Sequence, residues 1–270
     1  MSEQVYINGT KLDSPLPLRA LFFGEGLFET FRYKCRMPLF FDKHYDRMSR
    51  GARLLRIPLM ERDRLAEHVN KVIINSGISD AYVKICLLSD GGPNYYDNPA
   101  RGDIAIIVRD YNSSKERVRV CINKFARCAD SPVRSIKSLN YLENIIARRE
   151  ASRKGYDEAI FLNERGEIAE GTAGNIFWVE EDTLRTPSVE CGLLPGIIRE
   201  LLMNSVGDIG LRLEDGAYHP ERLAGSRMAF LTNSLSGTVL ISELGETALP
   251  FDYELYGAIK NLVFSRLGWI

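Results

Sequence analysis

The alternation of apolar and polar positions divides the chain into short strands and amphipathic helices. "EQVYING", "LFETFRYK" and "MPLFF" read as strands, the last of them short. "DKHYDRMSRGARLL" switches to helical spacing, with Tyr45, Met48, Ala52 and Leu55 on one side and Asp42 placed as N-cap. A second helix carries Leu65, Val69, Val72 and Ile73 and stops near Gly77; "AYVKICLL" and "DIAIIVRD" follow as strands. "YNSSKER" is polar and turn-rich, the natural linker. Beyond it come "VRVCINKF", a helix with Leu139, Leu142, Ile145, Ile146 and Ala151 as its apolar face, and the strand "DEAIFL". The turn "NERG" and two strands within "EIAEGTAGNIFWV" are next. A helix from about Pro195 to Val206, the strand "RMAFLT" and a last helix with Leu255, Ile259, Leu262, Val263 and Leu267 complete the pattern. Strands outside βαβ alternation predict antiparallel-rich sheets, hence an α+β protein. Two domains are expected, residues 1–110 and 118–270, joined by 111–117.

Composition narrows the function classes. The chain has 270 residues, 45% hydrophobic, enough for one large core or two smaller ones. Its 35 basic and 36 acidic residues give a net charge of -1, so no polyanion and no nucleic-acid partner is expected. No apolar run reaches the ~20 residues of a membrane span, and the N-terminal stretch lacks the pattern of a signal peptide. Five scattered cysteines without a CxxC pair suit a reducing cytoplasm, and the three histidines lack metal-ligand spacing, so no metal is expected.

Five places carry candidate chemistry, each ordinary when taken alone. Lys137 stands at a junction leading into a helix, where sites tend to lie. Pro195 and Gly196 open a helix whose first N–H groups suit a phosphate. "LTNSLSG" ends a buried strand with Thr232, Asn233, Ser234 and Ser236 as donors. Arg47 lies next to the apolar side of its helix, and Glu170 precedes small residues that permit close approach. A lysine able to form an imine, an acid for a ring nitrogen and donors for a phosphate are together the needs of pyridoxal 5'-phosphate.

In their order along the chain, "GEGLFETFR", "DKHYDRM", "IKSLNYLENIIARREASRKGYDEAIFL", "EIAEGTAGNIFWV", "LLPGIIR" and "FLTNSLSG" resemble the class-IV aminotransferase family, the fold-type-IV pyridoxal-phosphate enzymes. That family includes branched-chain and D-amino-acid aminotransferases and 4-amino-4-deoxychorismate lyases. The resemblance implies a homodimer with two domains, Lys137 as the Schiff-base lysine and Glu170 as the acid at the pyridine nitrogen. It implies phosphate contacts from Arg47, from the N–H groups of Ile197 and Ile198, and from Ser234. Tyr141 matches a tyrosine near the cofactor hydroxyl in the branched-chain branch. The family often has threonine where Ile198 stands, so one hydroxyl contact is lost.

"GLFETFR" and "FLTNS" look most like the lyase branch, where the threonine at the Thr30 position handles protons; a β-branched residue simply suited to its strand is the plain alternative. An arginine often found after the equivalent of "KICLLSD" is absent. The substrate carboxylate is then left to Arg32, Lys84, Arg101 or a partner subunit, with Asn233 as a further substrate candidate. The implied activity is a lyase releasing p-aminobenzoate and pyruvate from 4-amino-4-deoxychorismate. The alternatives are an amino-acid aminotransferase and a non-catalytic cofactor-binding relative.

Overall fold

A computed structural model describes residues 6–8, 10–11, 16–35, 37–113 and 115–270. A small hairpin of β1 (Tyr6–Ile7) and β2 (Thr10–Lys11) leads to α1 (Leu18–Phe23) and β3 (Gly26–Lys34). Then come α2 (Phe41–Leu55), α3 (Arg62–Ser76), β4 (Asp80–Gly91) and β5 (Pro99–Asp110). β3, β4 and β5 form an antiparallel sheet in that order, with Thr30 opposite Lys84. Strand side chains alternate between faces. Leu27, Phe31, Val83, Ile85 and Leu87 therefore meet Met48 and Ala52 of α2 and Leu65, Val69 and Ile73 of α3 in one core. Phe28, Thr30, Tyr82 and Lys84, on the other parity, line a cavity instead.

Residues 111–116 connect this sheet to a larger one. Its elements are β6 (Arg117–Ile122), α4 (Leu142–Arg153), β7 (Glu158–Leu162), β8 (Ile168–Gly171), β9 (Asn175–Glu180) and β10 (Thr183–Pro187). They continue with α5 (Ile197–Ser205), β11 (Arg212–Gly216), α6 (Glu221–Ala224), β12 (Met228–Asn233), β13 (Gly237–Leu244), β14 (Thr247–Ala248) and α7 (Tyr253–Leu267). The strand order is β11-β10-β9-β12-β13-β6-β7-β8, with β14 on β13. The sheet curls until β8 lies back against β9 and β10. α5 and α7 cover one face, packing Leu202, Ile259 and Val263 on Phe177 and Phe230, whose rings stack 5.5 Å apart. Trp178, Ile160, Ile176 and Leu231 fill the other side. No helix among the described residues is long and apolar enough to cross a membrane.

The α+β architecture with antiparallel-rich sheets is as expected, with four differences of detail. Of "EQVYING" only Tyr6–Ile7 is a strand among the described residues, and residues 3–5 and 9 lie outside them. "MPLFF" is no strand: the Phe41 N–H bonds to Pro38 O in a turn, and α2 starts at Phe41, so Asp42 sits in its first turn rather than capping it. Three pairings are parallel, β6 with β7, β6 with β13, and β10 with β11. The apolar face assigned to the helix after Lys137 is mostly outward: Leu142, Ile145 and Ile146 are 71%, 37% and 47% exposed. α4 instead buries Asn144, Ala147 and Ala151, because small residues let it approach β7 closely and Asn144 has polar work beneath it.

Candidate active site

Lys137 is carried by an extended segment that crosses between the two sheets. A single helical turn, Pro132–Ser135, ends at Ile136, whose side chain joins the first core. The Phe28 N–H donates to Lys137 O at 2.8 Å, and the Leu139 N–H to Gly26 O at 2.9 Å, so the segment docks beside β3. A Cβ at Gly26 would come within 2.6 Å of Leu139, which is why glycine stands there. Lys137, one residue past the inward Ile136, lines a cavity of about 520 Å³. Its Nζ lies 4.4 Å from the centre of the Phe28 ring, and Lys84 Nζ lies 4.3 Å from the same ring. Burial, helped by Arg47, lowers the Lys137 ammonium to a pKa of about 8 against the opposing pull of Glu29 and Glu170. A substantial neutral fraction near neutral pH is what a lysine nucleophile needs.

Glu170, the penultimate residue of β8, lines the same cavity. Its Oε1 accepts Arg127 Nη1 at 2.9 Å, and its Oε2 accepts the Leu194 N–H at 3.2 Å and Asn175 Nδ2 at 3.4 Å. Burial pushes its carboxyl up, while Arg127 and the Leu194 N–H pull the other way. Arg127 is 2% exposed, with its guanidinium 3.3 Å from the Phe161 ring centre and Nη2 donating to Asn144 Oδ1 at 2.9 Å. Asn144 Nδ2 and the Tyr141 hydroxyl both donate to Thr172 O, at 2.7 and 3.1 Å. Glu158 accepts the Thr172 N–H and hydroxyl from below. The turn after Glu170 is thus held from α4, β7 and the segment between Lys137 and α4. Burial also raises the Tyr141 phenol above its ordinary range.

Beside Glu170, past Leu194 and Asn175, the cavity wall collects donors. α5 has Gly196 as N-cap and no side-chain cap, so the N–H groups of Ile197 and Ile198 lack intrahelical partners. A Cβ at Gly196 would fall 1.9 Å from Asn175 Oδ1, so this close approach requires glycine. Arg47 Nη1 donates to Pro195 O at 3.2 Å, which places the guanidinium beside that helix start. Thr232 pairs with Asn175 across β12 and β9, and its buried hydroxyl has no partner among the described residues. Ser234 lines the cavity, and its carbonyl accepts the Arg32 N–H at 3.2 Å. An arginine, an uncapped helix start and an orphaned hydroxyl around one end fit a phosphate, and Lys137 and Glu170 line the same cavity. The donor set fits pyridoxal phosphate.

Ten of the expected residues line this one cavity: Thr30, Arg47, Lys84, Lys137, Tyr141, Glu170, Ile197, Ile198, Asn233 and Ser234. Arg32 does not. It is forked onto Asp80 at 2.7 and 2.5 Å and stacked 4.1 Å from the Tyr111 ring centre, so it is unavailable to a substrate carboxylate. Arg101 pairs with Asp90 and Asp103 outside the cavity. Asn233 Oδ1 accepts the N–H groups of Leu235 and Ser236, leaving its amide nitrogen for other work. Sequence reasoning missed Arg127, Asn144, Glu29 and His44. For Glu29 and His44 there was a signal, since both are ionisable residues within the motifs that hold Thr30 and Arg47; Arg127 lies in a loop without periodicity.

Residues 26–244 match the model of the amino-transferase class IV family. The chain is similar to aminodeoxychorismate lyase of Bacillus subtilis, 28% identical over 98% of this chain and 97% of that protein. Its structure is similar to that of a provisionally assigned 4-amino-4-deoxychorismate lyase of Legionella pneumophila, with a TM-score of 0.88 at 29% identity, covering 92% of this chain and 93% of the other. A branched-chain aminotransferase of Thermoproteus uzoniensis gives a TM-score of 0.86 at 26% identity, covering 98% and 95%. The chain belongs to the class IV amino-transferase family, a family of pyridoxal-phosphate-dependent enzymes.

Proposed function

We propose that this protein is a pyridoxal-phosphate-dependent lyase that converts 4-amino-4-deoxychorismate into p-aminobenzoate and pyruvate, working as a cytoplasmic homodimer. The observation that carries the reading is the convergence of Lys137, Glu170 and the phosphate-type donors on one cavity that Thr30 and Lys84 also line. Pyridoxal phosphate, when bound, supplies the electron sink that lets the amine-bearing carbon of the substrate lose a proton. Lys137 holds the cofactor and its Nζ takes that proton. Glu170, anchored by Arg127, keeps the ring nitrogen protonated. Arg47, the Ile197 and Ile198 N–H groups, Thr232 and Ser234 would hold the phosphate, and Tyr141, which lines the same cavity, would serve the cofactor hydroxyl.

The C–O bond beside the amine-bearing carbon then breaks, with its electron pair leaving on oxygen. The departing enolpyruvate needs a proton at its methylene carbon, and Thr30 is placed in the cavity wall to hold or relay it. Lys84 has no carboxylate within salt-bridge reach among the described residues, which suits it to a substrate carboxylate. The outward Leu142, Ile145 and Ile146 of α4 support a partner subunit.

The likeness to branched-chain aminotransferases and the presence of Tyr141 in the cavity favour a second reading, amino-acid transamination to a 2-oxo acid. Two assays decide between them. One follows p-aminobenzoate and pyruvate from 4-amino-4-deoxychorismate, and the other screens amino donors with 2-oxoglutarate or pyruvate. Turnover in the second with none in the first rejects the lyase.

A further inference from the structure

Behind Arg47 lie two buried ionisable residues, Glu29 and His44, that the proposed reaction leaves without a task. Glu29 on β3 is 1% exposed. Its Oε1 accepts Arg47 Nε and its Oε2 accepts Arg47 Nη2, both at 2.7 Å. His44 Nδ1 lies 2.6 Å from Oε2. His44 and Arg47, three residues apart, share one face of α2. A guanidinium offers five donors. Glu29 takes two in a fork that fixes the plane, and Pro195 O takes a third. Two remain for an anion at the start of α5.

We propose that Glu29 is a positioning and charge-balancing residue for Arg47: it aims the free donors of the guanidinium at the phosphate end and offsets the field that Arg47 places on Lys137. The inference rests on the reading of Arg47 as a phosphate contact. Four charged groups act on Lys137. Arg47 of α2 and Lys84 of β4 disfavour its ammonium, and Glu29 of β3 and Glu170 of β8 favour it. Arg47 and its neighbour hold Glu29 ionised, at about 2, although burial alone would raise it. Burial keeps His44 below its ordinary value despite the carboxylate, so it donates its Nδ1–H to Glu29 as a neutral ring. Without the Glu29 charge, Glu170 alone opposes Arg47 and Lys84, and the lysine gives up its proton more readily. Mere loosening of the packing works in the opposite direction, because admitted water returns a lysine toward its ordinary value.

The test compares wild type with Glu29→Gln, Glu29→Asp and Arg47→Gln, each stripped of cofactor from the holoenzyme. Pyridoxal phosphate and pyridoxal serve as paired probes, since only the first carries the phosphate. Arg47→Gln and Glu29→Gln are each expected to weaken pyridoxal phosphate about tenfold or more while changing pyridoxal by less than about twofold. The pH midpoint of pyridoxal incorporation at Lys137, fixed with borohydride and mapped by mass spectrometry, is expected to fall by about 0.5 to 1 in Glu29→Gln. Glu29→Asp keeps the charge on a shorter arm, so it should hold the midpoint and still weaken the phosphate form. An unchanged preference for the phosphate form in Arg47→Gln rejects the phosphate reading of Arg47. A changed preference there with an unchanged one in both Glu29 variants overturns the role of Glu29, as does a midpoint that rises in Glu29→Gln. If Glu29→Gln does not fold, Glu29→Asp decides through the same preference.

Discussion

Replacing Arg127 by methionine tests the architecture behind Glu170. The guanidinium is almost wholly buried, and it bonds Glu170 and Asn144, stacks on Phe161 and lies 3.6 Å from Glu143. Glu170 itself is only 12% exposed. Removing one partner of a buried pair costs about 3–5 kcal/mol, because the other charge stays buried without compensation. Methionine refills part of the hydrocarbon volume, which favours the lower end, about 3 kcal/mol. For a chain of this size that corresponds to a fall in Tm of roughly 6–12 °C. The loss should depend on pH. Burial already raises the Glu170 carboxyl, and without Arg127 it rises further. A raised carboxyl favours the folded state while protonated and loses that contribution as pH climbs through its folded value. The deficit of the variant against wild type is therefore widest at and above neutrality and narrows on acidification. Urea denaturation of the cofactor-free protein across pH measures this directly. Arg127→Met combined with Glu170→Gln removes the stranded charge and should recover about 1 kcal/mol or more over additivity. A single-variant loss under about 1 kcal/mol, or a deficit independent of pH, would refute the reasoning.

Four further outcomes follow from the geometry. Lys137→Ala should lose the borohydride-fixed cofactor and nearly all turnover; in wild type the incorporation rate should climb with pH and level off above about 8, since that is where the buried amine loses its proton. A rate still climbing toward ~10 would place Lys137 in solvent. Gly196→Ala should weaken cofactor binding and cost about 1–3 kcal/mol, because its Cβ displaces the Asn175 amide that holds Glu170 and Leu194 O; titration and denaturation check the two effects. Thr30→Val should slow p-aminobenzoate release about 100-fold while leaving the bound-cofactor spectrum intact, and an unchanged rate would remove Thr30 from proton handling. Lys84→Met should raise KM for the carboxylate-bearing substrate about tenfold without altering cofactor affinity, as equilibrium dialysis of the cofactor would register.

Much of this was legible because local pattern and packing agree. The spacing of Leu65, Val69 and Ile73, and of Ile259, Val263 and Leu267, counts apolar residues, and those residues are buried. α4 breaks the rule for a physical reason. Its inner face is chosen for closeness and for one buried amide, so Ala147, Ala151 and Asn144 go inward while the larger Leu142, Ile145 and Ile146 face out. The parallel pairings were hidden because no local signal ties β6 to strands that arrive much later in the chain. The same distance limits what a sequence says about a site. Lys137 and Glu170 stand out within ordered motifs, yet Arg127, which anchors Glu170 from 43 residues away, has no periodicity to mark it. Arg32 and Lys84 show the point most sharply. As residues on neighbouring strands they were equal candidates for a carboxylate, and nothing along the chain separates them. Asp80, brought across the sheet from β4, commits Arg32, whereas Lys84 faces the cavity beside the Phe28 ring, with no carboxylate in salt-bridge reach among the described residues. Whether a cation is available to a ligand depends on which carboxylate the fold delivers to it, and that is a property of strand register.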